Sequence, residues 1–321
     1  MLHYQIVAKK TNELNEREWS EFTIAFNAVF KKQVSVEHFK TKYYGSSLGY
    51  SVHGILFYNN QIVGMFTAIP RKYIYKEQEI SIALGCDAFI LKEHRKDEFF
   101  LKQMADETIK MFKIDSINHY VSIPNQTAYP YWKYFGGWKD IGQLSYYVVP
   151  LRVSGLLGKY KFLDALSFIA LKTVVTLSAI IFPFSKKNIE KAIHLKRDQN
   201  YLEQRYPSDY AIRELSDKSF FVYRVYNEDN VRTAYLFECF RLSQVNIANA
   251  IKQIIKERGK EIDIIMFVGK IDNPPFFFFK VPVKMEPRVQ PFIGLSINST
   301  LDDDFFSIAS WDVGLSNFDN R

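Results

Sequence analysis

A chain of 321 residues, 47% of them hydrophobic and 16% aromatic, can bury sizeable cores and suits two domains of roughly 150 residues each. Its 24% charged content excludes a disordered or fibrous chain, and its two distant cysteines, Cys86 and Cys239, argue against a disulfide framework or a zinc site and for a reducing, cytoplasmic setting. The net charge of +7 suggests nucleic acid until it is located: nine Lys and Arg against three carboxylates fall in residues 151–200, the most apolar part of the chain. A basic patch interleaved with apolar side chains fits an anionic membrane surface and not a nucleic-acid groove.

Met1 to Gln5 lack the charged start and apolar run of a signal peptide, so export is not expected. The spacing predicts a strand over 2–8, an aromatic-rich helix over 16–30 (Trp19, Phe22, Phe26, Phe30) and a shorter helix over 36–44. Two β-rich runs, 51–58 and 61–70, parted by Asn59-Asn60, make a hairpin. From Gln78 to Lys113 an alternating strand to Leu91 passes through a basic turn, Lys92 to Asp97, into an amphipathic helix with Phe100, Met104, Thr108 and Met111 or Phe112 on one face. Such a turn aims the helix's free amides past the end of the strand, an arrangement suited to a phosphate. A short strand over 117–123, a helix from Gln126 to the stop at Gly136-Gly137, and closing strands over 138–151 complete a mixed α/β layer with one parallel step.

The run Phe162 to Phe184 is long enough to span a bilayer but holds Asp164, Lys172 and Pro183. Three readings stay open for it: a buried or domain-connecting helix, an in-plane membrane helix with peripheral membrane contact, and a true span. Beyond it strands are expected at 220–226, 233–240, 262–268, 276–283 and 291–296, with a helix over 244–258. The four phenylalanines at 276–279 read most simply as a strand buried on both faces, the alternative being a lipid or acceptor surface. Asp302 to Asp304 read as a solvated turn, because contiguous carboxylates do not converge on one ion; no metal is expected.

The first 150 residues, through LGCDAFILKEHRKDEFF and SIPNQTAYPYWKYFGGW, resemble the GNAT superfamily of acetyl-CoA-dependent N-acyltransferases. The resemblance implies a GNAT-like mixed sheet flanked by helices. It also implies that the turn after the fourth strand holds the pyrophosphate of acetyl-CoA. The cofactor-binding set so implied is Phe89, Ile90 and Leu91 on the strand, Arg95, Lys96, Glu98, Phe99, Phe100 and Leu101 in the turn, and Asn125 with Ala128 in the later motif. Glu98 and Phe100 stand where the family has glycines, and Trp132 stands where an acid-donating tyrosine is common, flanked by Tyr131 and Tyr134. Asp87, on the strand beside the expected thioester, is the candidate base; the plainer reading makes it a strand carboxylate bonded to a neighbour. His94 reads more simply as a solvated turn residue and Asn125 as a helix cap.

Since the second half repeats this element order, the chain reads as two similar domains in tandem: 1–150 GNAT-like, 151–194 a basic apolar connector, and 195–321 a second, degenerate GNAT-like domain. Tandem halves of this kind occur in transferases of cell-surface sugars. Two functions follow as expectations. One is transfer of an acetyl or similar acyl group from acyl-CoA to a small amine, such as an amino sugar in surface polysaccharide biosynthesis. The other is a non-catalytic GNAT-like scaffold that binds a glycan, a lipid-linked precursor or a partner enzyme.

Overall fold

The computed structural model describes residues 3–152, 163–181, 191–215, 219–228, 230–297 and 301–318. In chain order the first elements are β1 (Tyr4–Lys10), α1 (Glu16–Phe30), α2 (Val36–Tyr44), β2 (Val52–Tyr58), β3 (Gln61–Tyr75), β4 (Gln78–Ile90), α3 (Phe100–Ile114), β5 (His119–Ser122), α4 (Ala128–Tyr134) and β6 (Lys139–Pro150). There follow α5 (Leu163–Ile181), β7 (Ile193–Leu195), α6 (Gln199–Arg205), β8 (Ala211–Glu214), β9 (Phe220–Glu228), β10 (Val231–Phe240), α7 (Gln244–Arg258) and β11 (Ile264–Gly269). The last are β12 (Phe279–Lys280), β13 (Gln290–Ser296), α8 (Asp302–Phe305) and β14 (Trp311–Asp312).

The chain forms two compact units. The first comprises Met1–Gln143, Ala192–Arg205 and Gln290–Ser310, and the second Leu144–Lys191, Tyr206–Val289 and Trp311–Arg321. The C-terminal strand β13 therefore belongs with the N-terminal unit, where it runs antiparallel to β5 from Ile293↔Ser122 to Ser296↔His119.

In the first unit the strands lie in the order β1-β2-β3-β4-β5-β13. Helix α1 begins where the sequence supplies a reciprocal cap: Asn15 Oδ1 accepts from the Glu18 amide at 3.0 Å and Glu18 Oε2 from the Asn15 amide at 3.1 Å. Its Trp19, Phe22 and Phe26 pack with Phe39 and Tyr43 of α2 and Phe89 of β4. The other sheet face carries a second cluster, with Met104, Ala105 and Phe112 of α3 and Trp132 of α4 against Phe66, Ala68 and Ala83. Asn59 and Asn60 both take positive φ, 50° and 61°, as a tight hairpin between right-twisted strands requires.

In the second unit the order is β6-β11-β10-β9-β8. Helix α7, capped by Ser243 Oγ accepting from the Asn246 amide at 3.0 Å, buries Ile247, Ile251, Ile254 and Ile255. Phe168, Leu171, Val174 and Val175 of α5 pack on that core. Each unit contains the same step. A hairpin with a register shift (β3–β4, β9–β10) leads through a helix of 15 residues (α3, α7) into a strand parallel to the hairpin's second member.

Two expectations need correction. The strand placed over 276–283 shrinks to Phe279–Lys280: Pro274-Pro275 break the ladder, the Phe278 amide turns back to Pro275 O at 2.8 Å, and only Phe277 and Phe278 are buried. Asp302 to Asp304 begin a short helix and not a turn, and Asp304 accepts from Tyr75 OH at 2.8 Å and Lys76 Nζ at 2.7 Å. Among the described residues no helix is long and apolar enough to cross a membrane. Phe162 and residues 182–184, the ends of the candidate membrane segment, lie outside the described residues.

Candidate active site on the fourth strand

Strands β4 and β5 pair in parallel only from Ile82↔His119 to Leu84↔Val121, and Ser122 Oγ then closes the junction by donating to Gly85 O at 2.9 Å. Past that point β4 runs on to Ile90 with β3 as its sheet neighbour, so one edge of its last residues faces no strand among the described residues. There the register with β3 slips, Met65↔Phe89 followed by Thr67↔Cys86, which leaves Asp87 and Ala88 opposite Phe66. Asp87 takes φ of 49°, a left-handed conformation that aspartate tolerates better than most residues but that still carries strain.

The bulge turns Asp87 toward α2. Its Oδ2 accepts from Lys42 Nζ at 2.6 Å and from Tyr43 OH at 2.8 Å, and both members of the ion pair are largely buried. Burial alone would raise the carboxyl pKa. The charge of Lys42 and the hydrogen bonds from Lys42, Tyr43 and Cys86 outweigh it and hold the group below its usual range, so Asp87 is ionised at neutral pH. Burial, reinforced by the negative charge of Asp87, pushes the Tyr43 phenol and the Cys86 thiol well up, so both stay protonated.

Below this group His53 lies wholly buried on β2 between two hydroxyls, Thr11 Oγ1 at 3.0 Å from Nε2 and Thr67 Oγ1 at 3.0 Å from Nδ1. Burial lowers its pKa to about 3; Asp87 pulls it up and Lys42 pushes it down by less. The folded imidazole is therefore neutral, whereas the unfolded one binds a proton below about 6.5. Folding stability is complete above that value and falls as pH drops toward 3, by about 1.4 kcal/mol at pH 5.5. Urea unfolding at pH 7.5 and 5.5 measures this, and His53→Gln is expected to flatten the dependence; an equal slope in the variant would contradict the assignment.

Beyond Ile90 the chain makes a 3-10 turn, Lys92–His94, and enters α3. The Leu91 amide is used within the sheet, donating to Val63 O at 2.8 Å, so of the Phe89, Ile90 and Leu91 amides it is Ile90 whose N–H faces the open side. Ile90 O, on that same side, accepts from Arg95 Nε at 2.9 Å. Phe100 turns its ring into the core beside Tyr4, so the side chain that replaces glycine does not cover the helix end. Glu98 and Lys96 are exposed, and Leu101 is half-buried. The Phe99 amide donates to Asp97 Oδ1 at 2.8 Å.

Tyr131 joins this helix end. Its OH donates to Glu98 O at 2.6 Å and accepts from the Lys102 amide at 3.0 Å, placing a phenol oxygen on an N-terminal amide of α3. Burial raises the phenol pKa, so the group remains neutral. Tyr134 is exposed, and Trp132 is core. Asn125 supports the start of α4 from outside it: its Oδ1 accepts from the Ala128 amide at 2.8 Å, while Thr127 at the N-cap position makes no side-chain cap bond. His94 is packed, with its Nδ1 3.1 Å from Tyr4 OH and its ring beside Tyr58. Asp87 and the α3 turn were singled out from the sequence, but Cys86 beside Asp87 on β4, Lys42 and Tyr43 of α2, which bond to Asp87, and His53 of β2 were not, because α2 and β2 come to this place only through the tertiary fold. Among the described residues no cluster of three His, Cys, Asp or Glu forms a metal site.

The fold as a whole is matched in solved structures. A GCN5-related N-acetyltransferase from Anabaena variabilis superposes with a TM-score of 0.59 at 10% identity, over 92% of this chain and 73% of that one. The chain has the GNAT fold. A GCN5-related N-acetyltransferase from Kribbella flavida gives 0.58 at 11% identity over 91% and 71% of the two chains. The N-myristoyltransferase of Saccharomyces cerevisiae with bound myristoyl-CoA gives 0.52 at 11% identity over 92% and 79%. No protein-family model matches the GNAT-fold chain, and no curated protein matches its sequence.

Proposed function

We propose that the chain transfers an acetyl or similar acyl group from acyl-CoA to an amine in the cytoplasm, with an amino sugar of a surface-polysaccharide precursor as the first acceptor to test. The observation that carries this reading is the parting of β4 from β5 immediately before the Asp87 bulge, with α3 following β4 in the chain. A thioester laid along the open edge of β4 meets the Ile90 N–H, a donor suited to the oxyanion, while Arg95, Lys96 and the first turn of α3 lie where the pyrophosphate of CoA would end. The amine nitrogen attacks the thioester carbonyl, the C–S bond breaks, and the CoA sulfur leaves with its electron pair. Asp87, ionised and held by Lys42 and Tyr43, orients the ammonium and receives its proton. The test is release of free thiol from acetyl-CoA on addition of amino sugars, read against a no-acceptor blank.

One observation favours a second reading, a GNAT-like scaffold without catalysis. The Tyr131 hydroxyl already occupies the Lys102 amide, and Glu98 adds a carboxylate at the same turn. A scaffold of this kind binds its glycan, lipid-linked precursor or partner enzyme without CoA, and thiol release then stays at the blank for every amine.

A further inference from the structure

The second unit displays apolar side chains on a segment that is itself well anchored. Phe277 and Phe278 are core residues, the Val281 amide donates to Tyr146 O at 2.8 Å, Phe279 and Lys280 pair with Val148 and Tyr147, and the Met285 amide closes on Pro282 O at 2.8 Å. From this base Phe276 is 65% exposed, Phe279 50%, Val283 60% and Met285 73%. Four large apolar groups within ten residues are not explained by folding, which leaves them in water.

Their neighbours identify the occupant. Lys280, Lys284 and Arg288 alternate with the apolar residues and are exposed, whereas Glu286, the single carboxylate of 276–289, keeps its Oε1 out of solvent. Aromatic and aliphatic tips flanked by long cationic side chains match the boundary of an anionic bilayer. There the tips enter the acyl region and the ammonium groups reach the headgroup phosphates. Within the same unit, residues 151–191 carry seven Lys and Arg against two carboxylates, +5 of the chain's net +7, which adds attraction of the same sign.

We infer that the loop 276–289 docks the protein on an anionic lipid surface, with Phe276, Phe279, Val283 and Met285 inserted and Lys280 and Lys284 on the headgroups. Helix α5 is the competing contact: Ile169 and Leu177 are exposed on it, and Thr173 and Thr176 satisfy their hydroxyls by bonding back to Ile169 O and Lys172 O.

The test is sedimentation of the full chain with vesicles of phosphatidylcholine alone or mixed with phosphatidylglycerol, with light scattering of the protein by itself. The chain is expected to sediment with the anionic vesicles only and to be released by salt. Phe276→Ser/Met285→Ser and Lys280→Glu/Lys284→Glu are each expected to lower binding about tenfold or more, with unchanged melting. Any of four results would overturn the inference: equal binding to uncharged vesicles, binding to neither kind, loss only in Ile169→Glu/Leu177→Glu, or self-association abolished by the loop variants, which would assign the loop to a second copy.

Discussion

Asp87→Asn is expected to lower kcat by about 10²–10⁴-fold, the usual contribution of a positioned general base, while the KM for acyl-CoA stays nearly unchanged. Asparagine keeps the shape and still accepts from Tyr43 but has no charge for an ammonium and no site for its proton. Because Asp87 is held below the usual carboxyl range, the wild-type rate should not decline between pH 7 and 5 through titration of this group; any fall there belongs to the amine or another residue. The variant also leaves Lys42 without its buried counter-charge, so its melting temperature should fall. If kcat holds within a few-fold and only stability falls, Asp87 is a strut between β4 and α2.

Gly54→Ala is expected to destabilise the first unit by about 3 kcal/mol or more, the upper range for overpacking a core. A Cβ at position 54 would stand 2.1 Å from Met104 O and 2.8 Å from Thr108 Oγ1, so α3 lies directly on the backbone of β2. Backbone cannot rotate aside as a side chain does, so the whole helix must lift, and its N-terminus moves with it. Denaturant unfolding measures the loss. A change below about 0.5 kcal/mol, ordinary for surface positions, would show that α3 does not rest on β2.

The helices were the most legible part of the chain. Asn15 with Glu18, Ser35 and Ser243 are caps that act within their own first turns, and the bounds of α1, α2 and α7 follow from them and the helical period. Strand β4 was legible by alternation. Its bulge was not, since a slip in register depends on the partner strand. The continuation of β3 through Pro70 to Tyr75 runs against the expectation that proline ends a central strand, yet Pro70 pairs with Ala83 there. The return of β13 to β5 joins residues more than 160 apart in sequence, which no local pattern encodes. At the site, Asp87 was found by its place on the strand, while Lys42 and Tyr43 come from a helix over 40 residues away. Tyr131 was named only as a neighbour of Trp132, which stands at the expected tyrosine position; its reach across to Glu98 and Lys102 is a tertiary contact.

The open edge of β4 and the start of α3 as an acyl-CoA site are tested most directly by calorimetric titration of acetyl-CoA into the wild-type and Tyr131→Phe chains. Saturable binding near micromolar is expected in the wild type. Phenylalanine keeps the ring stacked on Phe135 but frees the Lys102 amide for a phosphate oxygen, so binding should tighten about fivefold, the worth of one net hydrogen bond. Absence of heat in both proteins, with no rise in melting temperature at saturating acetyl-CoA, would contradict it.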